Sequence, residues 1–190
     1  MKNLTSRPDS LCSIDASTNS LAFAYFENNQ LIKYGKIKYF GNDIYEKIID
    51  VSHKTKSFFD NFNYLDHVVI EQVVYLNSPK TAANLAMSHG AICSSLGASG
   101  AKKIKSVSPM QWQNAIGNKR LTAEEKQKIR SSVLGKSESW YKSQERLYRK
   151  QKTIKFVNEK YNLKINDDDV ADAIAIGVFS LENWNKIFSQ

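Results

Sequence analysis

Asn166-Asp167-Asp168-Asp169-Val170-Ala171-Asp172-Ala173-Ile174-Ala175-Ile176 is the stretch around which the rest of the chain is organised. Three carboxylates in a row open a helix, and a fourth follows one turn in. Asp and Asn cap helix N-termini because their side-chain oxygens accept from the unpaired N–H groups of the first turn, and the helix dipole favours negative charge there. One or two such residues suffice. Capping does not account for Asp172, which follows Asp169 at i+3 and so shares its helix face, with Cβ atoms roughly 5–6 Å apart. Two carboxylates so placed, beside an apolar Ala-Ile-Ala-Ile run, repel each other unless a cation lies between them. An acidic cap with one solvated Asp is the plain alternative; a site for a hard divalent cation explains more of the pattern.

The whole-chain numbers bound the rest. With 190 residues, 42% hydrophobic and 24% charged, the chain reads as one soluble globular domain over 1–190. A net charge of +8 and a pI near 9.3 point to a polyanionic partner, nucleic acid before an anionic membrane surface. No apolar run approaches the ~18–20 residues of a membrane span, and Met1 to Ser10 lacks the hydrophobic core of a signal peptide, so a cytoplasmic protein without membrane contact is expected. Cys12 and Cys93 stand alone, as do His53, His67 and His89, without zinc-ligand spacing.

Leu11 to Asp15 is a short strand ending in a carboxylate, with Leu11, Ser13 and Asp15 on one face and Cys12 and Ile14 on the other. A turn at 16–20, a strand from Leu21 to Phe26, a second turn at Asn28-Asn29 and an alternating strand from Gln30 to Phe40 make an antiparallel meander. Asp43 to Phe62 has helical spacing suited to core packing. His67-Val68-Val69-Ile70-Glu71 is apolar on both faces, hence interior to a sheet, and also ends in an acid. Asp15 and Glu71 thus both close apolar strands, and strand ends beside helix starts are where open α/β sheets build sites.

Pro79 to about Ser95 reads as a helix rich in small residues, followed by a strand from Lys103 to Val107 and a brief helix containing Trp112. From Lys119 to Lys152 there are eleven Lys or Arg against four acids, an excess of seven that is nearly the whole net charge. Trp140, Tyr141 and Tyr148 interleave with them, and Gly135 divides the stretch into two helical halves. One such run is ordinarily a solvated helix face. Base clustered with aromatics also fits phosphate contact and base stacking.

Asp15, Glu71, Asp169 and Asp172, on those elements in that order, resemble the carboxylate set of the RNase H-like nucleases. Within that superfamily Ser13-Ile14-Asp15, Val69-Ile70-Glu71 and Asp169-Val170-Ala171-Asp172-Ala173-Ile174-Ala175-Ile176 resemble the RuvC-like Holliday-junction resolvases. The likeness in element order runs from about Leu11 to Gly177. It implies an α/β fold with a five-stranded mixed sheet, three antiparallel strands then two parallel ones, flanked by helices. The basic stretch of 119–152 would be a helical insert before the last helix. It implies further that Asp15, Glu71, Asp169 and Asp172 bind two Mg²⁺ or Mn²⁺ ions, with Asp15 bridging. Glu71 and Asp172 would hold one each, and Asp169 would complete a shell or orient the water. The implied protein is a homodimer, paired through the helix from Pro79, that nicks opposed strands of a four-way DNA junction.

This sequence differs from the bacterial pattern in three places. The aromatic expected shortly after the catalytic Glu is Tyr75, with Val74 before it. Trp112 stands where a basic residue near the scissile phosphate is expected, leaving Lys119, Arg120 or Lys126 to replace it. The basic stretch is also longer, as suits phage- or virus-type relatives with broader branched substrates. The expected DNA contacts are Tyr75, Lys119, Arg120, Lys126, Lys128, Arg130, Lys142, Arg146 and Arg149. The rival readings are an RNase H-fold nuclease acting on structured RNA, and a nucleic-acid-binding protein whose acids only cap and solvate.

Overall fold

The computed structural model describes residues 10–62, 65–74 and 78–189. Its first strands, β1 (Ser10–Ala16), β2 (Ser20–Glu27) and β3 (Gln30–Lys38), form the antiparallel meander. The β2–β3 turn places Asn28 and Asn29 at φ 49° and 66°. A two-residue hairpin that follows the strands' twist needs positive φ at both centres, and Asn tolerates it better than most side-chain-bearing residues. β3 stops two residues short of Phe40 because the Phe40 N–H is taken by the Asp50 carboxylate, at 2.7 Å, rather than by a strand.

Two helical crossovers extend the sheet. α1 (Ile44–Phe59) leads to β4 (His67–Glu71), and α2 (Pro79–Ala98) to β5 (Lys103–Val107). β4 pairs parallel with β1 and β5 parallel with β4, giving the order β3-β2-β1-β4-β5. This is the five-stranded mixed sheet expected, with β1 and β4 both interior. The helices α3 (Pro109–Ala115), α4 (Ala123–Ser132), α5 (Glu138–Tyr161), α6 (Asp168–Glu182) and α7 (Trp184–Phe188) complete the described chain. Gly135, at φ 75°, separates α4 from α5, a backbone conformation for which glycine is suited. The acid-opened helix α6 is not the last, as the sequence suggests. Trp184 and Phe188, stacked at 4.1 Å between ring centroids, form α7 and pack against His67. Among the described residues no helix is long and apolar enough to cross a membrane.

Both faces of the sheet are covered. Cys12, Ile14, Leu21, Phe23, Val68 and Ile70 face one core shared with α1 and α2. Leu11, Ala22, Ala24, Phe26 and Val69 face the other, which α6 fills. Every residue of α6 from Val170 to Leu181 is buried except Asp172, so the helix is embedded rather than amphipathic. Ala173 and Gly177 are small where it meets the sheet, and so are Ala22 and Ala24 beneath it. The approach is closest at Gly177, where a Cβ would run into the Phe26 ring and lie 2.6 Å from Ser13 Oγ. The Ser13 hydroxyl donates to the Ala173 carbonyl at 2.7 Å and lies 3.2 Å from that of Ala24.

Gly177→Val should therefore cost about 3 kcal/mol through overpacking. Thermal unfolding should show a Tm lower by roughly 6–12 °C for a chain of this size; an unchanged Tm would mean that α6 does not lie this close.

Candidate active site

The site begins with the strand register. Ile14 pairs with Ile70 across the parallel β1–β4 ladder, so Asp15 and Glu71 leave the same edge of the sheet side by side. By the pleat, each lies on the face of Ser13 and Val69, toward α6. The Ser13–Ala173 hydrogen bond fixes the start of α6 over this edge, which brings Asp172, the residue before Ala173, to the same place. Asp15, Glu71 and Asp172 line one cavity of about 640 Å³.

Two of the three acids are held by a neighbour. The Trp112 indole Nε1–H, on a helix fixed by a Ser108–Gln111 capping box, donates to Glu71 Oε1 at 2.8 Å. Trp112 is fully buried. The sequence places it where a basic residue is expected; the structure shows an orienting hydrogen-bond donor to Glu71. Asn118 Nδ2 donates to Thr153 Oγ1 at 3.0 Å, and Thr153 in turn hydrogen-bonds Asp172.

The other three acids of the run have separate work. Asp167 caps α6 by accepting from the Val170 N–H at 3.1 Å. Asp168 pairs with Lys150. Asp169 pairs with Lys36 of β3, Nζ to Oδ2 at 2.5 Å, and Lys36 also reaches Asp167 at 3.2 Å. Asp169 is not in the cavity lining, although its charge is felt by Asp15 and Asp172. The structure thus brings three of the four expected acids together and leaves the fourth at the margin with a lysine partner.

Burial dominates the electrostatics. It pushes the Asp15 carboxyl well above its ordinary range, and the charges of Glu71, Asp172 and Asp169 push the same way against Lys150. Burial raises Glu71 while Trp112 opposes it. Asp172 is pushed up to about 7 by burial and Glu71, against the pull of Thr153 and Lys150. Among the described residues no three carboxylate, imidazole or thiol groups are drawn around one point. The donor set is all hard oxygen, it is crowded, and a divalent cation of the Mg²⁺ class would relieve it. The residues fit such an ion.

The same cavity is also lined by bases, with Glu145 among them. Lys142, Arg146, Arg149 and Lys150 follow one another at helical spacing along a single face of α5, and Arg120 and Lys126 join them. Of the expected DNA contacts, Arg120, Lys126, Lys142, Arg146 and Arg149 line the cavity, and Lys119 and Lys128 are exposed outside it. Arg130 is turned to another task, forking onto Glu138 at 2.5 and 2.8 Å over the Tyr141 ring and so fastening α4 to α5. Tyr75 lies outside the described residues. Sequence reasoning misses Lys150 and Thr153, although both sit on the 3.6-residue stripe begun by Lys142. It also misses His89, which lines the same cavity.

No protein-family model matches the sequence, and no curated protein matches it. Solved structures do. RuvC of T. thermophilus in complex with a Holliday junction substrate superposes with a TM-score of 0.66 over 94% of this chain and 96% of that one, at 14% identity. The fold is RuvC-like. A second Thermus thermophilus RuvC structure gives 0.63 over 93% and 96%, again at 14% identity. Ydc2, the yeast mitochondrial Holliday junction resolvase, gives 0.51 over 97% of this chain and 83% of that one, at 14% identity. The RuvC-like order of elements expected from the sequence is therefore present in the fold, and this sheet is the frame on which the acids stand.

The crowding has a testable sign. An unfolded Asp has a pKa of about 3.9, whereas Asp172 in the fold lies at about 7. Between those values the folded chain keeps a proton that the unfolded chain releases, so this contribution is full below about pH 4 and is lost as pH rises toward 7. In EDTA, Asp172→Asn should raise Tm by a few degrees at pH 7.5 and by much less at pH 5. A Tm difference that does not grow with pH would contradict the crowding.

Proposed function

We propose that the protein is a divalent-metal-dependent endonuclease that cuts branched DNA, with the four-way junction as its characteristic substrate. The observation that carries this is the meeting of Asp15, Glu71 and Asp172 with the basic stripe of α5 in one cavity. A phosphodiester backbone is the ligand that such a pairing suits, its negative charge held by the bases and its reacting phosphorus beside the acids. The RuvC-like fold supports the branched substrate, since one structure sharing it is bound to a Holliday junction.

Asp15, Glu71 and Asp172, with Asp169 at the margin, would hold Mg²⁺ or Mn²⁺, two ions per site. When bound these supply Lewis acidity and a water acidic enough to attack at neutral pH. The protein's own groups do the rest. Lys142, Arg146 and Arg149 seat the strand, Lys150 brings positive charge closest to the acids, and Trp112 and Thr153 keep Glu71 and Asp172 from turning away. Buried donors fixed before the substrate arrives cost no reorganisation during the reaction. A homodimer would make the paired nicks. Ala83, Ala86, Met87 and Gly90 form an exposed strip along α2 that a second copy could approach closely.

A labelled four-way junction, a matched linear duplex and a structured RNA, each with Mg²⁺, Mn²⁺ or EDTA, test the proposal. Symmetric nicks in the junction alone, lost in EDTA, are expected. Asp15→Asn should lower cleavage by at least about a thousandfold while junction binding persists. Retained cleavage by that variant, or cutting confined to RNA, would sink the assignment.

A further inference from the structure

A second cavity, of about 460 Å³, opens as a side lobe of the first and shares seven of its ten lining residues with it, Gln113, Arg120 and Arg149 among them; Ser108, Met110 and Asn114 are its own. The acids lie outside this lobe, which combines three amide side chains, Gln72, Gln113 and Asn114, with the exposed apolar side chains of Val74 and Met110, 49% and 59% accessible. Amides read the edges of nucleobases, and apolar side chains pack against their faces or wedge between them.

The orientation of Gln113 follows from its partner. Arg149 Nη2 donates to Gln113 Oε1 and also reaches the Asn118 carbonyl at 3.4 Å. A guanidinium has donors only, so the atom that receives it must be the amide oxygen. The Gln113 NH₂ is left as the group a ligand would meet, and α3, fixed by its capping box, holds it there. A donor so placed complements a carbonyl oxygen, which guanine and thymine present on their major-groove edge where adenine and cytosine present an amine. Arg120 supplies charge for the adjoining phosphate.

We infer that this lobe is a subsite for one unstacked nucleobase next to the cut, entered by its major-groove edge, and that Gln113 makes it selective for bases presenting a carbonyl on that edge. The inference rests on the nuclease function proposed above and adds to it a determinant of cutting position. Branched DNA suits such a site, because bases at the branch unstack at less cost than those in a continuous duplex.

The test uses four junctions that differ only in the nucleotide next to the cut, cleaved in Mg²⁺ by the wild type and by Gln113→Glu. In parallel, a fluorescent guanine analogue at that position is followed in EDTA, where it brightens if it unstacks. Gln113→Glu is nearly isosteric and keeps a partner for Arg149, but it offers acceptors alone; junction affinity is measured alongside as a check on folding. The wild type should cut the guanine and thymine junctions roughly tenfold or more faster than the other two, and the analogue should brighten severalfold. Gln113→Glu should reverse the order toward adenine and cytosine and lose the brightening. Equal cutting of all four junctions with no brightening, or a wild-type pattern in Gln113→Glu, would overturn the subsite and leave the nuclease standing. Brightening without any cut by the wild type would do the opposite.

Discussion

One hydrogen bond, from the Ser13 hydroxyl to the Ala173 carbonyl, ties the central strand to the helix that carries the acids. It spans 160 residues of sequence and works only because nothing bulky intervenes. Ala22 and Ala24 on β2, and Ala173 and Gly177 on α6, let two backbones approach to a distance at which a serine can bridge them. Asp15 lies two residues after Ser13, and Asp172 one residue before Ala173. The position of the acids is therefore a consequence of packing, and their side chains need no contact with one another to be placed.

Charge is distributed around that frame in an uneven way. Asp168 and Asp169 have lysine partners from distant elements, Lys150 and Lys36, and Asp167 is used by the helix itself. Asp15, Glu71 and Asp172 share one desolvated corner in which each raises the others or is raised by burial. The fold offsets this local cost with two apolar cores, one on each face of the sheet. Rules of stability are expected to fail at functional sites and to be compensated elsewhere, and that is the pattern here.

The sheet was legible because its signals are local. Asn28-Asn29 sets the hairpin, and Asp15 and Glu71 mark themselves as acids ending apolar strands. Asp172 stands out because i+3 spacing puts it beside Asp169. What the sequence could not reveal depends on contacts between distant residues. Lys36 lies 131 residues from Asp167, and no periodicity in β3 announces that it turns toward α6. Trp112 is 41 residues from Glu71 and looks like a lost basic residue until its indole is seen to donate. The extra helix α7 was missed for a milder reason, since Trp184 and Phe188 give one turn of spacing and no more.

The tight seat of α6 also bears on how such a chain can change over time. Ala173 and Gly177 admit no growth without displacing the sheet, and Asp15, Glu71 and Asp172 admit no exchange without altering the cavity they line. The exposed positions, including many lysines and the outer faces of α1 and α4, are free to drift. A fold constrained in its buried positions to apolar character and size, and permissive elsewhere, can lose nearly all resemblance in sequence while keeping its shape. Agreement at a TM-score of 0.66 with only 14% of residues identical is the result that this division of constraint would leave behind.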